Sequence, residues 1–324
     1  MTNVVIASAA RTAVGSFSGS FANTPAHELG AAVLEAVVAR AGIDKSEVSE
    51  TILGQVLTAG QGQNPARQAH IHAGLSMDAA AWGINQVCGS GLRAVALAAQ
   101  HIQLGDAAIV AAGGQESMSL STHCAHLRAG VKMGDVSYID TMIRDGLWDA
   151  FNGYHMGQTA ENVREVEGVT REEMDAFGAR SQQLAVKNQQ NGFFEREITP
   201  LTLPDGTVVS KDDGPRDGTT AEGLAALKPV FRPDGQITAG NACPLNDGAA
   251  AVMVMSAKKA KQLGITPLAR IISSGVSGLN PEIMGLGPIE ACRQALKRAG
   301  MTIDNIDLVE INEAFAAQVI PSAK

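Results

Sequence analysis

The sequence predicts an α/β protein: a duplicated, layered α/β/α core with an inserted loop domain, its second half incomplete at the C-terminus. Three observations predict it. A helix–link–strand segment occurs twice in gapless register, a strand with a glycine-bearing loop precedes each copy, and the composition changes between the two halves.

The repeat aligns VVARAGIDKSEVSETILGQV (37–56) with ALKRAGMTIDNIDLVEINEA (295–314). Arg40-Ala41-Gly42 falls on Arg298-Ala299-Gly300, Val48 on Ile306 and Gly54 on Asn312. Each copy reads as a helix ending in RAG, a short acidic link and a strand. The stretches NVVIASAARTAVGSF and LARIISSGVSGLN before the copies read as strand then loop. Two βαβ-type halves with mostly parallel strands and a near-twofold relation are expected. The first copy runs on through residues 60–118, whereas the second stops at NEAFAAQVIPSAK. The sequence therefore reads as a fragment or a chain with an unrecorded last segment, and a polypeptide ending at Lys324 is expected not to turn over. The expected domains are 1–118, an inserted loop or cap domain 119–249, and 250–324.

Taken in order, the N-terminal stretch is apolar, lacks a basic leader and meets Arg11 early, so it reads as a first strand. The residues before Cys88, in INQVCGSGLRA (84–94), read as a buried strand. In the helix that follows, Leu92, Val95, Ala96, Ala99 and Ile102 form one stripe, and Gly105 stands where a helix closes. AAIVAAGG reads as a further strand, and SMSLSTHCAHLRAGVKMGDVSYIDTMI (117–143) as an extended loop. TREEMDAFGARSQQLAVKNQQNG is a helix opened by a Thr170–Glu173 capping box and closed at Gly192. LPDGTVVSKDDGPRDG carries hairpin turn signals. Lys211, Arg216, Lys228 and Arg232 are the nearest thing to an anion patch, each by itself an ordinary surface charge.

Composition narrows the function. Hydrophobic residues at 45% and charged residues at 18% describe a folded chain, not a disordered one. A net charge of −8 argues against nucleic acid as a general partner. Four cysteines lie far apart with no C-x-x-C pair, which suggests neither a zinc site nor a disulfide framework and fits a reducing, cytoplasmic setting. No apolar run reaches membrane-spanning length.

Cys88 sits where a strand ends and a helix begins. The helix dipole and unpaired N–H groups there favour an anion, so the thiol is expected to gain thiolate character. Gly89 and Gly91 allow a sharp bend and close substrate approach, and an N–H at this end can serve an oxyanion. On the local sequence alone, a nucleophile and a buried structural cysteine both remain open.

Six motifs decide between them. ARTAVGSF, NQVCGSGLRAV, GGQESMS (113–119), GYHMGQTAEN (153–162), TAGNACPLNDGAAA (238–251) and NEAFAAQ (312–318) together resemble the thiolases, and among them the short-chain, biosynthetic acetyl-CoA acetyltransferases. The resemblance covers Val4 to Gln318. It implies that Cys88 takes an acyl group from acyl-CoA as a thioester, and that the carbanion of a second acetyl-CoA attacks it to give acetoacetyl-CoA. It implies that Asn312 holds a water stabilising the enolate oxygen. It sets CoA against Leu147, His155, Met156, Arg216, Ala239, Cys243, Met284 and Phe315, with Met156 and Met284 as flexible apolar walls. It further implies a homotetramer built through the loop at 121–140, CoA thioesters as substrates, and no permanently bound cofactor or metal.

The chain departs from the family pattern in places. Cys243 stands where many members have serine, and Gly223 where a polar residue often meets the adenine end. A GHP histidine that activates the nucleophile and a CxGGG cysteine that moves protons are not found in this sequence. A non-catalytic CoA-binding or oligomer-forming protein is therefore the alternative reading. A ketoacyl-synthase-type condensing enzyme is disfavoured by GYHMG and NEAFAAQ.

Overall fold

The computed structural model describes residues 2–324, which form two compact units. The first gathers the chain up to Gly146 with Phe194–Gly214 and Leu245–Ile271; the second gathers Leu147–Phe193, Pro215–Pro244 and Ile272–Lys324.

The first unit is built on a seven-stranded sheet in the order Ala269–Ile271, Val4–Arg11, Asn246–Ser256, Ile109–Ser117, Glu50–Gly54, Ala80–Ile84, with Gly15–Ser16 beside the start of Asn246–Ser256. Successive side chains point to opposite faces. Val5, Ile109, Ala111, Met253 and Met255 therefore pack with Leu29, Val33, Leu34 and Val37 of the helix Ala26–Ala41. Val4, Val110, Ala112 and Val254 pack with Ala94, Ala98, Ala99 and Ile102 of the helix Ser90–Leu104. Helix, sheet and helix make the expected three layers.

Three sequence expectations are corrected here. Parallel pairing is confined to Ile109–Ser117, Glu50–Gly54 and Ala80–Ile84, while Asn246–Ser256 runs antiparallel to both of its long neighbours. Parallel strands need a crossover. Pro65–His72 and Ser90–Leu104 supply it for these three strands, whereas Asn246–Ser256 is reached by a long excursion of the chain. The strand before Cys88 is not buried: Ala80–Ile84 is an edge strand with a partly exposed face. Leu92 is 79% exposed and drops out of the expected stripe, whereas Ala96, Ala99 and Ile102 of that stripe are buried together with Ala94 and Ala98.

The repeat is present in both units. Ala26–Ala41 and Gly287–Ala299 each end at a left-handed glycine, Gly42 (φ 66°) and Gly300 (φ 68°), a conformation that glycine adopts without Cβ strain. Each helix leads into a short 3₁₀ turn, Lys45–Glu47 or Ile303–Asn305. Matching hydrogen bonds tie each helix to the segment before it. Ser8 Oγ donates to Val37 O (2.6 Å) and Arg40 Nη1 to Ala9 O (2.6 Å). In the second copy, Ser273 Oγ donates to Ala295 O (2.7 Å) and Arg298 Nη1 to Ser274 O (2.5 Å). Val37 and Ala295, like Arg40 and Arg298, are partners in the sequence register. The strand expected after the second helix is a correction. Among the described residues 306–312 find no ladder partner, and Leu308 stands 85% exposed.

The second unit packs Met156–Glu167, Arg171–Gln190 and Ala316–Ala323 around Ala160, Val169, Met174, Ile237 and Phe315. The Thr170 capping box forms as expected, Glu173 N donating to Thr170 Oγ1 (3.2 Å) and Thr170 N to Glu173 Oε2 (2.9 Å). The expected hairpin is Leu201–Thr202 paired with Val208–Val209, in the first unit. Among the described residues no helix is long and apolar enough to cross a membrane.

Candidate active site

Cys88 lies two residues before Ser90, the first residue of its helix. The corner is turned by Val87 (φ 48°) and not by the flanking glycines, since Gly89 is right-handed (φ −82°). Glycines act beneath the corner instead. A Cβ on Gly54 would stand 2.5 Å from Ser90 C and 2.6 Å from Gly91 N, so only a bare Cα lets the helix start rest on the sheet. Gly54→Ala is expected to push the helix start off its seat, destabilise the unit by roughly 1–3 kcal/mol as overpacking does, and slow acylation about 100-fold by misplacing the thiol. Thermal melts and acyl-enzyme formation check it; a variant with wild-type acylation contradicts it.

The electrostatics correct the expected thiolate. Cys88 reaches solvent, yet desolvation by the surrounding protein pushes its thiol pKa up, and the Glu116 charge adds to the rise against its own backbone N–H. Glu116 stands at the end of Ile109–Ser117 and accepts from Val56 N (2.8 Å) and Leu57 N (3.2 Å). Burial pushes its pKa up to about 7, assisted by Asp247 and opposed by those two N–H bonds. A carboxyl raised in the folded state keeps its proton while the unfolded chain ionises. Wild-type stability is therefore expected to fall from about pH 4.5 to about 7. Glu116→Gln should flatten that part of the melting-temperature profile; an unchanged slope contradicts the assignment.

The other nine residues assigned from the sequence belong to the second unit. Trp148 pairs with His155, which sets Leu147 one residue from that ribbon. His155 opens the helix Met156–Glu167; its Nδ1 accepts from Gly157 N (3.0 Å), and burial lowers its pKa, so the ring is neutral. The ring stacks on Phe231 at 4.8 Å, and Phe231 meets Phe315 edge-on at 6.2 Å. Phe315 bridges to Ala242, and Cys243 N donates to Ala314 O (2.9 Å), which brings Cys243 to the same place. Ala239 is exposed in the adjoining loop. Met284 belongs to the turn Pro281–Leu286, beside the Met156 helix through Asn162 Nδ2, which donates to Glu282 O (3.0 Å). Asn312 is exposed, three residues before Phe315.

Arg216 is not drawn into this cluster. It is exposed, its N–H donates to Gln182 Oε1 (2.8 Å), and its carbonyl accepts from Thr219 Oγ1 (2.8 Å). Of the four basic residues noted in the sequence, Arg232 is ion-paired with Glu165, which raises its pKa.

Comparison with known proteins settles the family. The model of the thiolase N-terminal domain matches residues 4–258, and that of the thiolase C-terminal domain matches 265–324. The chain belongs to the thiolase family. An acetyl-CoA acetyltransferase of Paracoccus denitrificans is 62% identical over 323 residues, 99% of this chain and 83% of that protein. One of Rhizobium meliloti is 58% identical over 319 residues, 98% of this chain and 81% of the relative. The crystal structure of the Bacillus anthracis acetyl-CoA acetyltransferase superposes with a TM-score of 0.97 at 42% identity, covering 99% of this chain and 82% of that one.

Sequence reasoning on this thiolase passed over Glu116, Val87, Ser90 and Phe231. GGQESMS contained Glu116, but no pattern says that this partly buried carboxyl acts on the Cys88 thiol. Phe231 lies in an aperiodic stretch, where nothing signals a ring stack. Among the described residues no group of three or more His, Cys, Asp or Glu is placed to hold a metal ion.

Proposed function

We propose that the chain is an acetyl-CoA C-acetyltransferase, condensing two acetyl-CoA to acetoacetyl-CoA and CoA and catalysing the reverse thiolysis. The observation that carries this is the match over 98–99% of the chain to enzymes of that name, with Cys88 at a strand–helix corner. The alternative, a non-catalytic CoA binder, is not favoured by that similarity.

Cys88 Sγ gives up its proton and attacks the thioester carbonyl. The bond from carbonyl carbon to CoA sulfur breaks, and CoA takes up a proton as it leaves. Because the resting thiol is held above its ordinary pKa, proton removal belongs to the acylation step and its rate rises with pH. A second acetyl-CoA then loses an α-proton, and its carbanion attacks the acyl carbon; the bond from acyl carbon to Cys88 Sγ breaks, and the released thiolate takes up a proton. Asn312, an uncharged donor, holds the water that stabilises the enolate oxygen. The neutral His155 ring, Phe231 and Phe315, with Met156, Met284, Leu147, Ala239 and Cys243 nearby, offer CoA an apolar wall, and Arg216 offers an exposed cation. CoA thioesters are the only small-molecule partners this reading needs, without a resident cofactor.

Leu127, Val131, Met133 and Tyr138 stand exposed in the 121–140 loop, which supports the reading that copies of the chain associate through it as a tetramer. A cytoplasmic location rests on cysteine usage. The test of function is acetoacetyl-CoA thiolysis by the purified chain: CoA-dependent consumption at enzyme rates supports the proposal and overturns the expectation that a polypeptide ending at Lys324 does not turn over, whereas binding of CoA without consumption overturns the proposal.

A further inference from the structure

Val87, directly before Cys88, has φ 48° and is the only β-branched residue among the non-glycine residues described with positive φ. Such a residue avoids the left-handed region, and the conformation persists only where its surroundings over-determine it. Its own side chain does not do so, being 48% exposed. The hold comes from hydrogen bonds to its backbone. Asn85 Oδ1 accepts from Val87 N (2.9 Å). Ser90 Oγ donates to Val87 O (2.6 Å) and accepts from Gln86 N (2.8 Å). Ser90 is 4% exposed, so water does not compete for these bonds.

We propose that Ser90, with Asn85, is a clamp that keeps Val87 left-handed and so aims the Cys88 thiol at the acyl carbon. Ser90 is a positioning residue and forms no bond to the reacting atoms. A glycine at 87 would make the same turn unaided. Valine makes it conditional on the clamp, and without the clamp the chain relaxes at the residue next to the nucleophile. The inference rests on the reading of Cys88 as the acylated thiol.

The test uses the full chain and two probes of Cys88: acetylation by acetyl-CoA, read as maximal rate and half-saturating concentration, and alkylation by iodoacetamide, which needs no CoA site. In Ser90→Ala the maximal acetylation rate should fall on the order of 10- to 100-fold, with half-saturation nearly unchanged and alkylation slowed. Ser90→Thr, which keeps the hydroxyl, should restore most of the rate. Adding Val87→Gly should shrink the Ser90→Ala loss to within about threefold, because glycine needs no clamp. An unchanged rate in Ser90→Ala, or the same loss in the valine and glycine backgrounds, overturns the clamp. Should Ser90→Ala fail to fold, Asn85→Ala, altering an exposed side chain, is read against Val87→Gly in the same way. A wild-type chain alkylated but never acetylated at Cys88 overturns the functional reading, while alkylation still decides the clamp.

Discussion

Cys88→Ala is expected to abolish acyl-enzyme formation and turnover while leaving the fold intact. Alanine fits wherever cysteine does, and Cys88 is exposed at its corner, so no core packing is lost. What disappears is the thiol at the junction of the edge strand Ala80–Ile84 with the helix Ser90–Leu104. Removing a covalent nucleophile leaves nothing to carry the acyl group between the two half-reactions. The measurement is labelling by radioactive acetyl-CoA alongside a thermal melt. Label retained on another cysteine of the Cys88→Ala protein would show that the nucleophile is misassigned.

Asn312→Ala should reveal the second half-reaction. Loss of a single donor to a developing oxyanion costs about 10²–10³ in kcat, and in the proposed reaction the donor acts through a water on the enolate. Asn312 is exposed and no element of regular structure depends on it, so stability should hardly change. The expected result is condensation and thiolysis slowed by that factor with Cys88 acetylation at the wild-type rate. Equal losses in both half-reactions would move Asn312 to the acylation step, contrary to the assignment.

Local periodicity and end signals made a good part of this molecule legible. The Ser90–Leu104 helix closes at the left-handed Gly105, Arg171–Gln190 opens on its capping box, and the two RAG helices end at Gly42 and Gly300. Each of these depends on residues within one turn of helix, which is the range over which sequence patterns act. Sheet order depends on partners far apart in sequence. An apolar stretch such as Asn246–Ser256 does not say which neighbours it takes or in which direction, and here it runs antiparallel between Val4–Arg11 and Ile109–Ser117.

The site divides in the same manner. Cys88 was visible because its glycines and helix start are contiguous with it. The position of its bend was not, because a β-branched Val87 is the residue that local preference would choose last for φ 48°. The thiol's raised pKa was equally invisible, since the helix N-terminus is adjacent in sequence while the desolvation and the Glu116 charge arrive through the fold. Glu165 beside Arg232 is likewise a partner that the local sequence does not announce.

The most direct measurement is to mix the chain with acetyl-CoA, quench in acid, digest, and locate the acetyl group by mass spectrometry. The expected result is a single acid-stable, hydroxylamine-labile acetyl group on the peptide that contains Cys88, discharged when CoA is added before the quench. An acetyl group on Cys124, Cys243 or Cys292, or none on any cysteine while acetoacetyl-CoA is consumed, would contradict a thioester route through Cys88.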